Sequence, residues 1–322
     1  MPVGKAISPH LTRLARIRGI NNDRFTWRMV PSVQSPEGSE TGSYEAYEAG
    51  AFLLPTTPTS TTGYVRAIGA PYLSYDWGID SVDYALEEVY SFHREDWREM
   101  NSAEGMRRFE KMIISTSKRF ETAMEIRLRD TLWNAANYTN TGALTAANQF
   151  QLPGGDPFKE IRQRWDSIEM SAAYADGGVR TMWLNRTAFQ HLASHARLTK
   201  FFKDGEATSR GTLAMVASEL EIDVANLHVA KAVVNTAAPR QTPVFADVWA
   251  AASLWMGIVA PTVDENQQTA LARVYGTDAD SVVERGENDT GEDKYRWARQ
   301  KLVTAFVPVD VSAAYYYTTV YA

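Results

Sequence analysis

Between Asn101 and about Asn137, apolar side chains keep returning to one helical face: Met106, Phe109, Ile113, Phe120, Ala123 and Leu128. That spacing predicts a single amphipathic helix. The opposite face carries Arg107, Lys111, Lys118, Glu121, Glu125 and Arg129, and is expected to meet water. Asn101 with Glu104 three residues on forms a candidate N-terminal cap with a reciprocal Glu. Glu104 to Arg108 and Glu125 to Arg129 stand in the favourable i,i+4 order. No proline interrupts the run, and its one glycine, Gly105, falls in the first turn. At about 1.5 Å per residue such a helix is roughly 50 Å long, the width of a whole domain. It is either an unusually long core helix or a rod crossing a flat subunit.

The flanking patterns differ on the two sides. Residues 1 to about 40 have no sustained period, and Pro31, Pro36 and Gly38 oppose a helix, so they read as an arm. Residues 41 to about 80 read as a long hairpin, with Tyr44 to Leu54 leading into the turn-forming PTTPTSTTG and the chain resuming at Tyr64, Val65 and Ile68. Ala51-Phe52-Leu53-Leu54 is an apolar run beside a polar tip, and two strands alone are marginal in water. A neighbouring molecule is therefore expected to cover it, and residues 1 to about 76 are expected to bury little of their own surface. Tyr72 to Met100 mixes aromatics and acids and predicts a strand, a short helix and a link.

Beyond the long helix, Asn140 to Gly155 is a polar loop, and Asp156-Pro157 opens a helix with Asp as cap and Pro in the first turn. Phe158, Ile161, Trp165 and Ile168 share one face of it, and Gly177-Gly178 ends the element. Val179 to Leu184 predicts a buried strand, and Asn185 caps a short helix bearing Phe189 and Leu192. Thr212 to Leu220 predicts another helix, Ile222 to Val229 a strand, and Leu271 to Tyr275 a short strand. Near the C-terminus Val307, Val309 and Val311 alternate as in a half-buried strand, which Tyr315, Tyr316, Tyr317 and Tyr321 continue.

Composition leaves this α+β picture intact. The 322 residues are 44% hydrophobic and 22% charged, an ordinary globular balance. The absence of cysteine excludes disulfides and thiolate metal sites. Met1 to Ile20 has no continuous apolar core of a secretory signal. Val248 to Ala260 is too short to span a bilayer and reads as buried interior, so no membrane partner is expected. The net charge of −6 hides a gradient. Arg13, Arg16, Arg18, Arg24 and Arg28 make the arm basic, and Glu37, Glu40, Glu45 and Glu48 follow. Asp278 to Asp293 is acidic again and gives way to Lys294, Arg296, Arg299 and Lys301. Such blocks read as solvated surface, and they would also suit a chain that pairs with copies of itself. A basic arm can touch phosphates, but it carries no motif for reading a base sequence.

Candidate chemistry is thin. His191 and His195 have the spacing of a zinc-binding helix, yet Leu192, Ala193 and Ser194 between them supply no Glu base. There is no GxSxG elbow, no GxxxxGK loop and no GxGxxG. No enzyme, cofactor or metal is expected.

The order of parts carries a resemblance. A basic arm, an extended hairpin and a long helix precede DPFKEIRQRWDSIEMSAAYADGG, the strand VRTMWLN, the helix TAFQHLASH, GTLAMVASELEIDVANLHVAKAVVN and a late strand rich in Val and Tyr. This resembles the major capsid protein of tailed bacteriophages, the Hong Kong ninety-seven fold that encapsulins share. The resemblance implies a spine helix at 101–137, an N-terminal arm at 1–40 and an extended loop at 41–80 lying across the adjacent subunit. It further implies a peripheral domain at 81–200 with 295–322, and an axial domain at 201–294 that meets its copies at five-fold and six-fold axes.

The function so implied is structural: a homo-oligomer of hexamers and pentamers closing into an icosahedral shell around double-stranded DNA, held non-specifically. Assembly would take place in the host cytoplasm and end in the virion capsid. Phe52, Leu53, Leu54 and Arg66 are the candidate contacts between subunits, and Arg13, Arg16, Arg18, Arg24 and Arg28 the basic contacts of the arm. Because the chain opens directly on the arm, a separate scaffolding protein is implied; a portal protein and a decoration protein are further partners. The alternatives are an encapsulin-like compartment that holds cargo through short peptides, and a soluble α+β enzyme. Some members of the family lock the shell by an isopeptide bond from a loop lysine. This chain has no lysine between Lys5 and Lys111, and the guanidinium of Arg66 stays protonated and is a poor nucleophile.

Overall fold

A computed structural model describes residues 6–7, 25–35, 40–47, 79–96, 103–200, 211–238, 241–261, 268–290 and 293–321. Its axis is the helix α1 (Ala103–Leu132), 30 residues and therefore about 45 Å long. The helix stops five residues short of Asn137. Asn134 takes an extended conformation and its side chain accepts from the Ala136 N–H, which starts a separate 3-10 turn at Ala135–Asn137. The proposed cap, Asn101, lies outside the described residues.

Two sheets flank this rod. The first is organised on β14 (Asp293–Pro308), whose one edge pairs with β5 (Glu87–Asp96). Its other edge pairs first with β13 (Val282–Thr290) and then with β12 (Leu271–Tyr275). β1 (Ala6–Ile7) joins β13, and β2 (Ser32–Gln34) runs parallel to β12. The second sheet has the order β6 (Asn140–Gly142), β15 (Ala314–Tyr317), β11 (Leu254–Val259), β7 (Val179–Asn185), β8 (Leu227–Ala230). All six residues of β11 and all four of β15 are buried, as central strands covered on both faces must be.

Two small pairings remain. β3 (Thr41–Tyr47) pairs antiparallel with β4 (Ile79–Ala85), and β9 (Val233–Asn235) with β10 (Phe245–Asp247). The chain between β3 and β4, with its Phe52 to Leu54 run, lies outside the described residues.

Helix α2 (Pro157–Ile168) begins as its sequence dictates, with the Asp156 carboxylate accepting from Lys159 N and Phe158, Ile161, Trp165 and Ile168 fully buried. It ends earlier than Gly177. The helical turn α3 (Ala172–Ala175) is separate, and Gly177, in the left-handed region at φ 87°, closes that turn. Asn185 caps α4 (Arg186–Ala193) through Ala188 N; α5 (Ala196–Thr199) follows, and Thr212 caps α6 (Leu213–Glu219).

Helix α1 reaches two cores. Phe120, Met124, Leu128 and Leu132 enter the main one, with Trp165, Trp183 and Trp255. Phe109 and Ile113, nearer its start, pack separately on Val283 and Ala298 of the first sheet.

Several expectations are corrected. Glu121 and Glu125, assigned to the solvated face of the helix, are 2% and 0% exposed. Glu125 does not turn to Arg129, which meets Asp130 and the Val248 carbonyl instead. The short helix expected within 72–100 is the ten-residue strand β5: Val89, Ser91 and His93 face inward between exposed neighbours, a period of two. Ile222 to Val229 is strand only from Leu227, after a 3-10 turn at Val224–Asn226 that Asp223 caps. The late strand does not run through Val311: Asp310 accepts from Ser312 N and Ala313 N, forming a 3-10 turn at Val311–Ala313 that carries the chain into the other sheet. Residues 25–35, counted with a little-buried arm, bury Trp27, Val30 and Val33.

The boundaries drawn at 200/201 and 294/295 do not separate bodies either. The first divides strands of one sheet, since β7 lies between β11 and β8; the second falls between the two strands of the β13–β14 hairpin. That hairpin also explains the alternating charge blocks, because folding back lays Glu284 against Arg299 and Lys301.

Candidate functional site

Two features of α1 and its sheet stand out. The first is a clamp built on the two buried carboxylates. Glu125 accepts from Thr26 N at 2.8 Å, Thr26 Oγ1 at 2.8 Å, Trp27 N at 3.0 Å and Trp249 Nε1 at 2.9 Å. One turn earlier, Glu121 accepts from Trp27 Nε1 at 2.7 Å and from Arg28 Nη2 at 2.6 Å. The donors come from the 3-10 turn Trp27–Met29 and from the loop after β10. Arg129 extends the grip to the Val248 carbonyl, and the rings of Trp133 and Trp249 meet edge to face at 4.9 Å.

Burial pushes the Glu125 carboxyl above the usual carboxylate range, against the opposing pull of its hydrogen bonds to Thr26, Trp27 and Trp249. Two guanidinium groups lie over the Trp27 ring, Arg28 at 4.5 Å and Arg273 at 5.0 Å from its centroid. Burial lowers Arg273 to about 10. Arg28 also reaches Asp280 at 3.4 Å. This arrangement positions the backbone entering β2.

The second feature is the face of the first sheet turned away from α1. There Tyr90 and Phe92 of β5 are 62% and 48% exposed. Phe92 lies 6.0 Å from the ring of Trp297, which crosses Gly286 so closely that an added Cβ would sit 2.5 Å from it. Arg299 bridges three strands, reaching Glu88 at 3.1 Å and Glu284 at 2.7 Å, and Lys301 adds a contact to Glu284 at 2.8 Å. Burial raises the Glu284 carboxyl, but hydrogen bonds and charge from Lys301 and Arg299 outweigh it and hold the group low. Among the described residues, this sheet face thus carries exposed aromatic rings framed by ion pairs.

Of the residues singled out in the sequence, Phe52, Leu53, Leu54 and Arg66 lie outside the described residues, as do Arg13, Arg16, Arg18 and Arg24. Arg28 is described, and its charge is directed to Glu121 and Asp280. His191 packs on the Tyr321 ring at 5.2 Å, whereas His195 accepts from Arg197 N and contacts the Leu152 carbonyl, so the two imidazoles do not converge. Among the described residues no group of three or more His, Cys, Asp or Glu is placed to hold a metal, and no helix is long and apolar enough to cross a membrane. Sequence reading missed Thr26, Trp27 and Trp249 and the Tyr90–Phe92–Trp297 surface. The one signal was Trp27 itself, a large apolar ring in an otherwise polar, basic segment.

No protein-family model matches this chain, and no curated protein matches it by sequence. Solved structures do. A phage-related protein from Bordetella bronchiseptica RB50 superposes with a TM-score of 0.70 at 18% identity, over 98% of this chain and 97% of that one. A virus-like particle from Pyrococcus furiosus gives 0.55 at 11%, over 96% and 98%. The capsid of the cyanophage P-SCSP1u gives 0.51 at 12%, over 91% and 86%. The chain has the fold of phage capsid and virus-like particle proteins, the Hong Kong ninety-seven fold.

Proposed function

We propose that this chain is a major capsid protein, many copies of which form hexamers and pentamers that close into an icosahedral shell around double-stranded DNA. The observation that carries the reading is the extent of the likeness: the whole chain, not one module of it, follows the fold of the Bordetella phage-related protein, over 98% of its length. The parts suit the role. A rod anchored in two cores gives a stiff subunit. An open sheet face with Tyr90 and Phe92 offers a partner surface outside the subunit's own core. Closed shells require contacts between unlike surfaces of neighbouring copies that curve and close.

In this reading Phe52, Leu53, Leu54 and Arg66 contact the adjacent subunit, and the arginines of the arm make further basic contacts. A scaffolding protein, a portal protein and a decoration protein are the partners, and the assembled form is the virion capsid. The test is negative-stain microscopy and sedimentation of the purified chain across a series of salt concentrations, with scaffold supplied. Pentamers, hexamers or closed particles are expected; a chain that stays monomeric throughout would falsify the shell.

A second reading follows from the likeness to the virus-like particle, over 96% of this chain: a compartment that encloses protein cargo. Nucleic acid inside purified particles selects the first reading, and a co-purifying enzyme the second.

A further inference from the structure

Four cations stand on the exposed face of the first half of α1: Arg107, Lys111, Lys118 and Arg119. At 100° per residue they fall within one third of the helix circumference, and over about 18 Å of its length. No acidic residue falls in that sector of the helical wheel between positions 107 and 119. None of the four forms an ion pair among the described residues. The contrast within the chain is sharp. Its other arginines at this level of the fold, Arg28, Arg127, Arg129 and Arg299, all have carboxylate partners. Among the described residues, a protein of net charge −6 therefore carries a strip of positive charge without ion-pair partners along its longest helix.

The strip runs into a groove. Ser115, Lys118 and Thr122 form one wall and Val233, Asn235 and Gln241 of the β9–β10 hairpin the other, around an open volume of about 890 Å³. The Ser115 hydroxyl and the Asn235 and Gln241 amides, beside Lys118 and Arg119, present hydrogen-bond donors of the kind that phosphate oxygens accept from without any reading of sequence.

We infer that this strip and groove bind the phosphate backbone of nucleic acid. The proposal deepens the shell reading and rests on it, since it makes this side of α1 the one turned to the enclosed polymer. Charge complementarity selects the occupant. A length of about 18 Å covers roughly five steps of a duplex strand at 3.4 Å each, so a polymer with a charge at every step can meet all four cations.

The test is fluorescence anisotropy of a labelled 20-base-pair duplex titrated with the full chain at 50 and 200 mM NaCl. Four neutralised phosphates predict a slope of log K on log salt near −3.6, or roughly a hundredfold loss over that range. K111E/K118E, which alters two exposed side chains, should weaken binding at least tenfold and flatten the slope by about 2. K111R/K118R should bind as the parent does, and the unchanged melting curve of each variant checks its fold. Unchanged affinity in K111E/K118E overturns the proposal. So does equal competition by polyglutamate at matched charge, which would assign the groove to an acidic protein. Micrographs of the same preparations separate this outcome from the parent reading. Closed particles with unaltered duplex affinity sink the strip and leave the shell, whereas the absence of particles from the unsubstituted chain with scaffold supplied sinks the shell.

Discussion

Trp249 donates its indole N–H to Glu125 at 2.9 Å, joining residues 124 positions apart. Glu125 is fully buried, and its four donors come from two segments that have no other element in common. Glu125→Gln keeps the size of the side chain but turns an NH₂ group toward N–H donors. At least one buried donor then loses its acceptor, at a cost of about 1–3 kcal/mol. The unfolding free energy of the unassembled chain, from urea titration, should fall accordingly, by about 1–3 kcal/mol. Trp249→Phe, which removes one donor and keeps most of the ring, should cost less than Glu125→Gln. The reverse order would mean that ring packing, not the carboxylate, holds this joint.

Two groups, half-buried His228 and buried Glu125, should tilt stability against pH in opposite directions. Burial lowers His228, packed on the Trp183 ring at 4.4 Å, from 6.5 to about 4. The unfolded chain therefore binds the proton more readily. The contribution of His228 is complete above pH 6.5 and is lost as pH falls from there through about 4. Glu125 is raised by burial above 4.5, so here the folded state holds the proton more readily. Its contribution is complete below pH 4.5 and is lost as pH rises from 4.5 through the folded value. Urea midpoints measured from pH 3.5 to 8 on the parent and on His228→Phe should differ by an amount that changes with pH only between about 4 and 6.5. A pH-independent difference would show that the imidazole is equally basic in both states.

Phe92 is 48% exposed on the open sheet face, and a charge placed there meets water in the free subunit. Phe92→Glu should leave the melting curve within about 0.5 kcal/mol of the parent, as surface changes generally do. In an assembled shell the same charge is expected to lie in an interface, where burying it unpaired is costly. Particle yield in micrographs and sedimentation should drop while the subunit stays folded. Normal yield would remove this face from the assembly contacts.

With no lysine between Lys5 and Lys111 and no cysteine, the resemblance-based loop offers neither an amine nor a thiol for covalent locking. Particles boiled in SDS without reductant should run as one band at 36 kDa. A ladder of multimers would show a cross-link from some other position.

What could be read in the chain was what short range determines. Asp156-Pro157, Asn185 and Thr212 start their helices because cap and first turn are adjacent in sequence, and Leu271–Tyr275 is a strand at the residues where its pattern begins and ends. The order of parts also carried the fold. What escaped was whatever depends on distant cover. On a helical wheel Glu125 shares the sector of Lys111 and Lys118, and no local signal distinguishes them. They differ only because Thr26, Trp27 and Trp249 cover the second half of α1 and leave the first half open. Strand β5 was hidden for a related reason: its inward positions Ser91 and His93 are polar, so its period of two carries little hydrophobic contrast. The two sheets could not be divided correctly by position, since strand order in each depends on pairings between residues far apart in sequence.

Strand β14 holds the interior of the first sheet, and β15 sits between β6 and β11 in the second. Both lie later in sequence than most of the strands they pair with, so neither sheet can close before residues 293–317 have been made. β5 then waits for a partner made some two hundred residues later, a high-contact-order pairing of the slow kind. A polypeptide terminated early, at residue 290 for instance, lacks the strand to which β5, β12 and β13 all bond. Such a fragment cannot present the same outer surface as a finished copy. In the shell reading, a copy cut short before β14 would be barred from the lattice by its own failure to fold.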